Sequence, residues 1–357
     1  VLPGQEEQTI TAWLTTDHPM QPFSRRCFDG HGAIASYNPA WLPALATDEP
    51  TPFLAVPLAE PEERRRAVDL SQLVRFWRHP VRFFLEDRLG LRLRNDGASL
   101  EESEPFQLDY LQRYLLRRDT VAAALEEIPL QQHVAGLTGS GRLPQAGFGR
   151  LQMAEIEGEA GALAEQLHLL LHDPYEPLEI DHPIGAFHLS GWLHHLYAAG
   201  CVTWRPGRLR GAELLEWWIT HLCLNLLRPP GHNLTSIYCS WERQQGAPGV
   251  QQTALRPVQD PQPLLAQLLE GYWQGLSRPL PFFPETSRAW AEAREGAEAD
   301  KAQAVWAGGY NLTGEGSDPA YGYFFSAQSL PFSEEFVQLA ALFNPLFDHV
   351  EAPHAAA

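Results

Sequence analysis

Seven histidines crowd residues 168–221: His168, His172, His182, His188, His194, His195 and His221. Imidazole is the commonest metal ligand, and His168 and His172, four apart in a helical stretch, share one face, which is ligand spacing for zinc. The run between them is HLLLH, without the glutamate of HExxH, so histidines packed in or around a core are the competing reading. Arginine is the other recurrent chemistry. Lys301 is the only lysine, so 25 of the 26 basic residues are arginine (26 − 1), and any mechanism needing a lysine has one candidate, in the solvated run AEADKAQA. Arg75, Arg78 and Arg82 are spaced three and four apart with Trp77, Phe83 and Phe84 between them, and Arg205, Arg208 and Arg210 form a second basic turn. Guanidinium groups beside aromatic rings suit phosphates and stacked bases. The alternative use of the first set puts the aromatics in the core and the arginines on a solvated face pairing with Glu86 and Asp87.

The elements that must position these residues fall into zones. Residues 1–66 are rich in proline and aromatics (HPMQPF, NPAWLPAL, DEPTPFLAVPLAEPEE) and read as an arm wrapping a neighbouring core. Residues 67–130 are helical: Leu70, Leu73, Val74, Trp77, Val81, Phe84 and Leu85 follow a 3.6 period, Asp69 is placed as an N-cap, and Pro80 breaks or kinks the helix. Residues 131–150 read as a glycine-rich connector with neither a GxxxxGK[ST] pattern nor a preceding strand. A helix over 153–172 leads into strands at Leu178–Asp181, Ala186–Leu196 and Gly200–Trp204, a meander. A helix at Ala212–Leu227 and a strand at Leu234–Trp241 follow, then helices near 261–275, 285–307 and 333–347.

Composition bounds the function. With 357 residues and 44% hydrophobic content the chain buries one large core or two ordinary ones. The formal charge of −18 disfavours unaided binding of a polyanion, so any DNA contact must be local or shared with partners. No apolar run approaches the ~20 residues that span a bilayer, and VLPGQEEQ has no signal-peptide pattern. Cys27, Cys201, Cys223 and Cys239 form no CxxC pair, so a reducing cytoplasm is expected. The absent initiator methionine is read as the start of a fragment. The acidic runs LEESEPFQLD, AEIEGEAGALAE and AWAEAREGAEAD are solvated faces or partner surfaces, and Trp192, Trp217, Trp218, Trp241 and Trp273 form a pool for core and interface.

The stretch DLSQLVRFWRHPVRFFLEDRLGLRL, followed by PFQLDYLQRYLLRRDTVAAALEE, resembles the first helices of the RecB/AddB-type nucleases, which carry an S-x-L-x-x-F-x-x-C-P-F-R-F-F run and then a G-x-x-x-H helix. Together with HPMQPFSRRCF, SYNPAWLP and AYGYFF, most of the chain resembles the C-terminal part of the RecC family, the gamma subunits of exodeoxyribonuclease V. The resemblance implies an α/β fold of the PD-(D/E)XK (restriction-endonuclease-like) kind, with a mixed central sheet flanked by helices and helical additions. It also implies a domain over 67–357, with 1–66 linking it to a preceding helicase-like region.

Active members of that fold bind magnesium with an acid on one strand and a D-x-K or E-x-K on the next, because Mg²⁺ takes hard oxygen ligands. Position by position, the G-x-x-D strand falls on Gly191, Trp192, Leu193 and His194, and the D-Y-K triplet on Thr203, Trp204 and Arg205. The G-x-x-x-H helix falls on Tyr114 and Arg118, and His79 stands at the cysteine of the iron–sulfur members. The catalytic set Arg118, His194, Thr203 and Arg205 is therefore degenerate, and neither metal nor cofactor is expected. What the resemblance implies is a non-catalytic scaffold and DNA-guiding domain of a RecBCD-type helicase–nuclease. Its expected work is duplex splitting and channelling of the strand scanned for Chi, in double-strand-break repair by homologous recombination. The expected partners are RecB-like and RecD-like subunits and DNA, with no membrane, and the DNA-contacting candidates are Arg75, Arg78, Arg82, Arg205, Arg208 and Arg210. A surviving Mg-dependent nuclease and a histidine-rich zinc protein are the rival readings.

Overall fold

A computed structural model describes residues 10–21, 23–29, 34–36, 38, 52–93, 108–144, 146–244, 247–310, 312–325 and 333–351. Most of NPAWLPAL and of LEESEPFQLD lies outside them. The chain forms two units, 1–55 and 56–357. The first holds α1 (Ile10–Leu14) and a 3₁₀ turn at Arg25–Cys27.

The second unit begins with β1 (Ala67–Asp69), a three-residue strand absent from the helical expectation for this stretch. Asp69 then caps α2 (Leu70–Arg78), its Oδ1 accepting the Ser71 N–H at 2.9 Å. The helix stops where Pro80 requires, because proline constrains the residue before it. His79 leaves helical geometry at φ −166°, ψ 81°, and α3 (Pro80–Phe83) restarts with proline at its first position and runs into a π-turn at Phe84–Arg88. His79 caps that restart, its Nδ1 accepting the Arg82 N–H at 3.1 Å.

Three helices follow: α4 (Tyr110–Leu125), opened by an Asp109–Gln112 capping box, α5 (Leu130–Gly139) and α6 (Ala146–His168). Residues 131–150 are thus largely helical instead of a loop. Leu137 is buried with Leu116, Met153 and Ile156, and that packing outweighs two helical glycines. The strands are β2 (Leu178–Ile184), β3 (Phe187–Leu193), β4 (Leu196–Tyr197) and β5 (Gly200–Arg205). α7 (Gly211–Leu227), β6 (Ser236–Gln244) and β7 (Ala247–Leu255) come next. They form two mixed sheets in place of one central sheet and its meander. In the order β1-β3-β2, β1 runs parallel to β3 (Val68 opposite Leu189) and β2 antiparallel. In the order β4-β5-β6-β7, β5 is parallel to β6 (Thr203 opposite Tyr238), with antiparallel strands at both edges. The split falls at His195, whose φ of 61° turns the chain between β3 and β4.

Helices flank both sheets. α7 buries Trp217, Trp218, Leu222 and Leu224 in a core that includes Trp77, Ile180, Leu189, Cys201 and Tyr238. The opposite face of the second sheet, Val202, Ile237 and Cys239, packs on Val121, Leu163 and Leu167 of α4 and α6. Successive residues Cys201 and Val202 point to opposite cores, as strand periodicity requires. Beyond α8 (Gln262–Gly275), the expected helix at 285–307 is two, α9 (Pro284–Ala291) and α10 (Glu298–Ala307), because Gly296 at φ 83° turns the chain between them. A third cluster gathers Val81, Phe283, Trp306, Tyr321 and Phe336. No helix among the described residues is long and apolar enough to cross a membrane.

Candidate functional site

One cavity of about 380 Å³ lies where the two sheets meet α7. His194 and His195 line it from the turn after β3, Thr203 and Arg205 from the end of β5, and Tyr114 from α4. α7 contributes Glu213, Glu216, Trp217 and Thr220, residues three or four apart and hence on one helix face, and α2 contributes Arg78. Gly191 shapes the approach. Its φ is 140°, and a Cβ there would stand 3.0 Å from the Leu70 Cβ, so β3 sits against the start of α2 only with glycine.

The structure therefore brings His194, Thr203, Arg205 and Tyr114 together. Arg118 stays outside: it pairs with its neighbour Asp119 at 3.0 Å and is half exposed. Arg117 takes the inward direction, donating from Nε to Glu159 at 2.7 Å and from Nη1 to the Pro206 carbonyl at 2.9 Å, at the foot of the cavity's loop.

The charges that line the cavity are paired with one another. Arg205 ion-pairs with Glu213, and its guanidinium lies 5.1 Å from the centre of the Tyr114 ring. Arg78 ion-pairs with Glu216 and approaches Glu213 at 3.4 Å. Neither glutamate was singled out in the sequence, since only folding shows that α2 reaches α7. Magnesium needs anionic oxygens turned towards it. Both cavity carboxylates are engaged by guanidinium groups whose charge opposes a cation, so these residues do not fit a divalent metal. Among the described residues no group of three or more His, Cys, Asp and Glu side chains is placed to hold an ion.

The histidines disperse. α6 ends at His168, so His172 lies past the helix and the two do not share a helical face. His221 is a core residue: its Nδ1 lies 2.8 Å from Ser236 Oγ, its Nε2 lies 3.0 Å from the Arg256 carbonyl, and burial pushes it down to about 4. Burial, and then the neighbouring His194, also lower His195. Burial pushes the thiols of Cys201, Cys223 and Cys239 up to about 12, which leaves them protonated and poor ligands or nucleophiles.

A neighbouring cavity of about 460 Å³ is lined by Arg75, Arg78, Arg82 and Arg210 together with Glu86, Glu213 and Asp318. The helical arginines there are paired. Arg75 meets Asp87 at 3.4 Å and covers the Phe83 ring at 4.8 Å, and Arg82 meets Asp318 at 2.8 Å. Burial pushes the Asp318 carboxyl up, but His79 at 3.4 Å, a hydrogen bond from the Ala320 N–H and the Arg82 charge outweigh it and bring it down to about 2. Trp77, Phe83 and Phe84 are core residues and offer no exposed platform. Of the cavity-lining aromatics, Trp192 is the one that stands 53% exposed.

The turn at 206–210 is held from several sides. Leu209 N–H donates to Glu242 at 3.1 Å, Arg288 donates to the Leu209 carbonyl at 2.6 Å, and Gly211 N–H donates to Glu285 at 2.7 Å. It presents Arg208 and Arg210 to solvent, with no ion-pair partner for either among the described residues.

Comparison with known proteins bears on the chain's family. The RecC C-terminal domain family matches residues 65–295. The RecBCD enzyme subunit RecC of Escherichia coli (strain K12) is 30% identical over 319 residues, 84% of this chain and 26% of that protein. The RecBCD enzyme subunit RecC of Haemophilus influenzae is 31% identical over 156 residues, covering 43% and 14%. That of Mycobacterium tuberculosis (strain H37Rv) is 25% identical over 292 residues, covering 79% and 26%. The chain thus spans about a quarter of the length of the Escherichia coli and Mycobacterium tuberculosis relatives it matches.

Proposed function

The chain belongs to the RecC C-terminal domain family, and from that premise we propose that it is a non-catalytic scaffold and DNA-guiding part of a RecBCD-type helicase–nuclease. In this reading it has a PD-(D/E)XK-like fold without working chemistry. It helps split the duplex and channel the strand scanned for Chi during recombinational repair in the cytoplasm, between RecB-like and RecD-like partners. Residues 1–66 act as an arm joining it to a helicase-like region. One observation carries the reading: Arg205 and Arg78 pair with the carboxylates of the cavity that, in this reading, stands at a nuclease's magnesium site. Arg208 and Arg210, exposed on the pinned turn after β5 and without an ion-pair partner among the described residues, supply local positive charge on an otherwise acidic molecule.

The test pairs two measurements on the purified chain. Incubated with Mg²⁺, it is expected to leave single- and double-stranded DNA uncut, and a RecB-like or RecD-like subunit is expected to retain it in a pull-down. Metal-dependent cleavage abolished by Glu213→Gln would instead establish a surviving nuclease. Stoichiometric zinc by elemental analysis would establish the metalloprotein.

A further inference from the structure

The cavity beside β5 has properties that its ion pairs leave unexplained. Arg205 Nε, Trp217 Nε1 and Glu213 Oε2, on three side chains of its wall, are buried without a hydrogen-bond partner among the described residues. A buried polar atom in this state is costly and calls for a partner. Two of the three donate and one accepts. Their side chains line the cavity, and Arg205 and Glu213 keep 18% and 12% of their side-chain surface exposed. Trp192 stands at the same wall and also lines an adjoining cavity of about 490 Å³ that shares Arg78, His194, Glu216 and Thr220.

Charge narrows the occupant. Arg78 and Arg205 oppose a cation, while Glu213 and Glu216 oppose an anion and would repel a phosphate, which in any case offers acceptors only. A neutral, planar group carrying donors and acceptors on one edge answers all three unpartnered atoms and can stack on an indole. The volume of about 380 Å³ lies in the range of small-molecule pockets, about 300–1,000 Å³. We propose that this cavity captures one unpaired nucleobase, turned out of a single strand and stacked on Trp192, while the arginines of the neighbouring turn follow the backbone. The proposal rests on the DNA-guiding reading above and names what that site holds.

The experiment compares binding of the full chain to two end-labelled single strands of equal length by fluorescence anisotropy, one intact and one abasic at its central positions. Both carry the same phosphates, so backbone attraction is held constant. The intact strand is expected to bind roughly tenfold more tightly, the scale of one base stacked on an aromatic side chain. Trp192→Ala is expected to erase that preference while leaving abasic-strand binding unchanged, and Trp192→Phe to retain most of it. Equal binding of the two strands by the unaltered chain, or a preference that survives Trp192→Ala, would overturn base capture and leave the DNA-guiding reading standing. Failure to bind either strand would overturn both.

Discussion

Arg205 pairs Glu213 with the edge of its guanidinium and covers the Tyr114 ring with its face, two contacts that a lysine ammonium cannot make together. Because both partners are mostly buried, removing one strands the other's charge. Arg205→Ala is expected to destabilise the chain by about 3 kcal/mol in urea unfolding, and Arg205→Ala with Glu213→Ala by distinctly less than the sum of the single changes. His221 sets a second residue-scale expectation. Its folded pKa, about 4, lies below the ordinary histidine value near 6.5, so the neutral ring's contribution is present above pH 6.5 and is lost as pH falls through about 4. The loss amounts to about 3 kcal/mol at most. Urea midpoints measured from pH 7 to 4 should fall for the unaltered chain and fall less steeply for His221→Gln.

At the scale of elements, the contact between β3 and α2 is one of those that favour glycine. Gly191→Ala is expected to destabilise by about 1–3 kcal/mol, since it combines a positive φ with a Cβ pressed on Leu70; differential scanning calorimetry would register it as a lowered Tm. Legibility followed how local each cause is. Asp69 as a cap and Pro80 as a break were readable because capping and the missing proline N–H act within one turn. β1 and β7 were not readable. AVD is too short to show a period, and APGVQQTAL lacks alternation, so both are strands only because β3 and β6 supply partners. At the site, His194, Thr203 and Arg205 were legible as a group only through the resemblance, which lays a metal-binding motif over them. Arg78 with Glu213 and Glu216 was not, because that pairing joins residues more than a hundred positions apart. The reading of Trp77, Phe83 and Phe84 as stacking platforms fell to burial, which the apolar 3.6 period through Trp77 and Phe84 had offered as the competing use.

For the whole molecule, a formal charge of −18 means that attraction to DNA must come from a small area and be strongly screened by salt. Changing Arg208 and Arg210 together to Ala is expected to weaken single-strand binding and to flatten the slope of log affinity against log salt by about 1.4, the release expected for two phosphates. An unchanged slope in a salt titration would remove this turn from the contact. The ion pairs between α2, β5 and α7 also bound which substitutions this wall tolerates. An acid placed at His194 would not by itself make a metal site, because Glu213 and Glu216 are already engaged by Arg205 and Arg78. The salt bridges thus work as a lock: loss of either arginine strands a carboxylate in the wall, whereas a change at the exposed Trp192 leaves every pair intact.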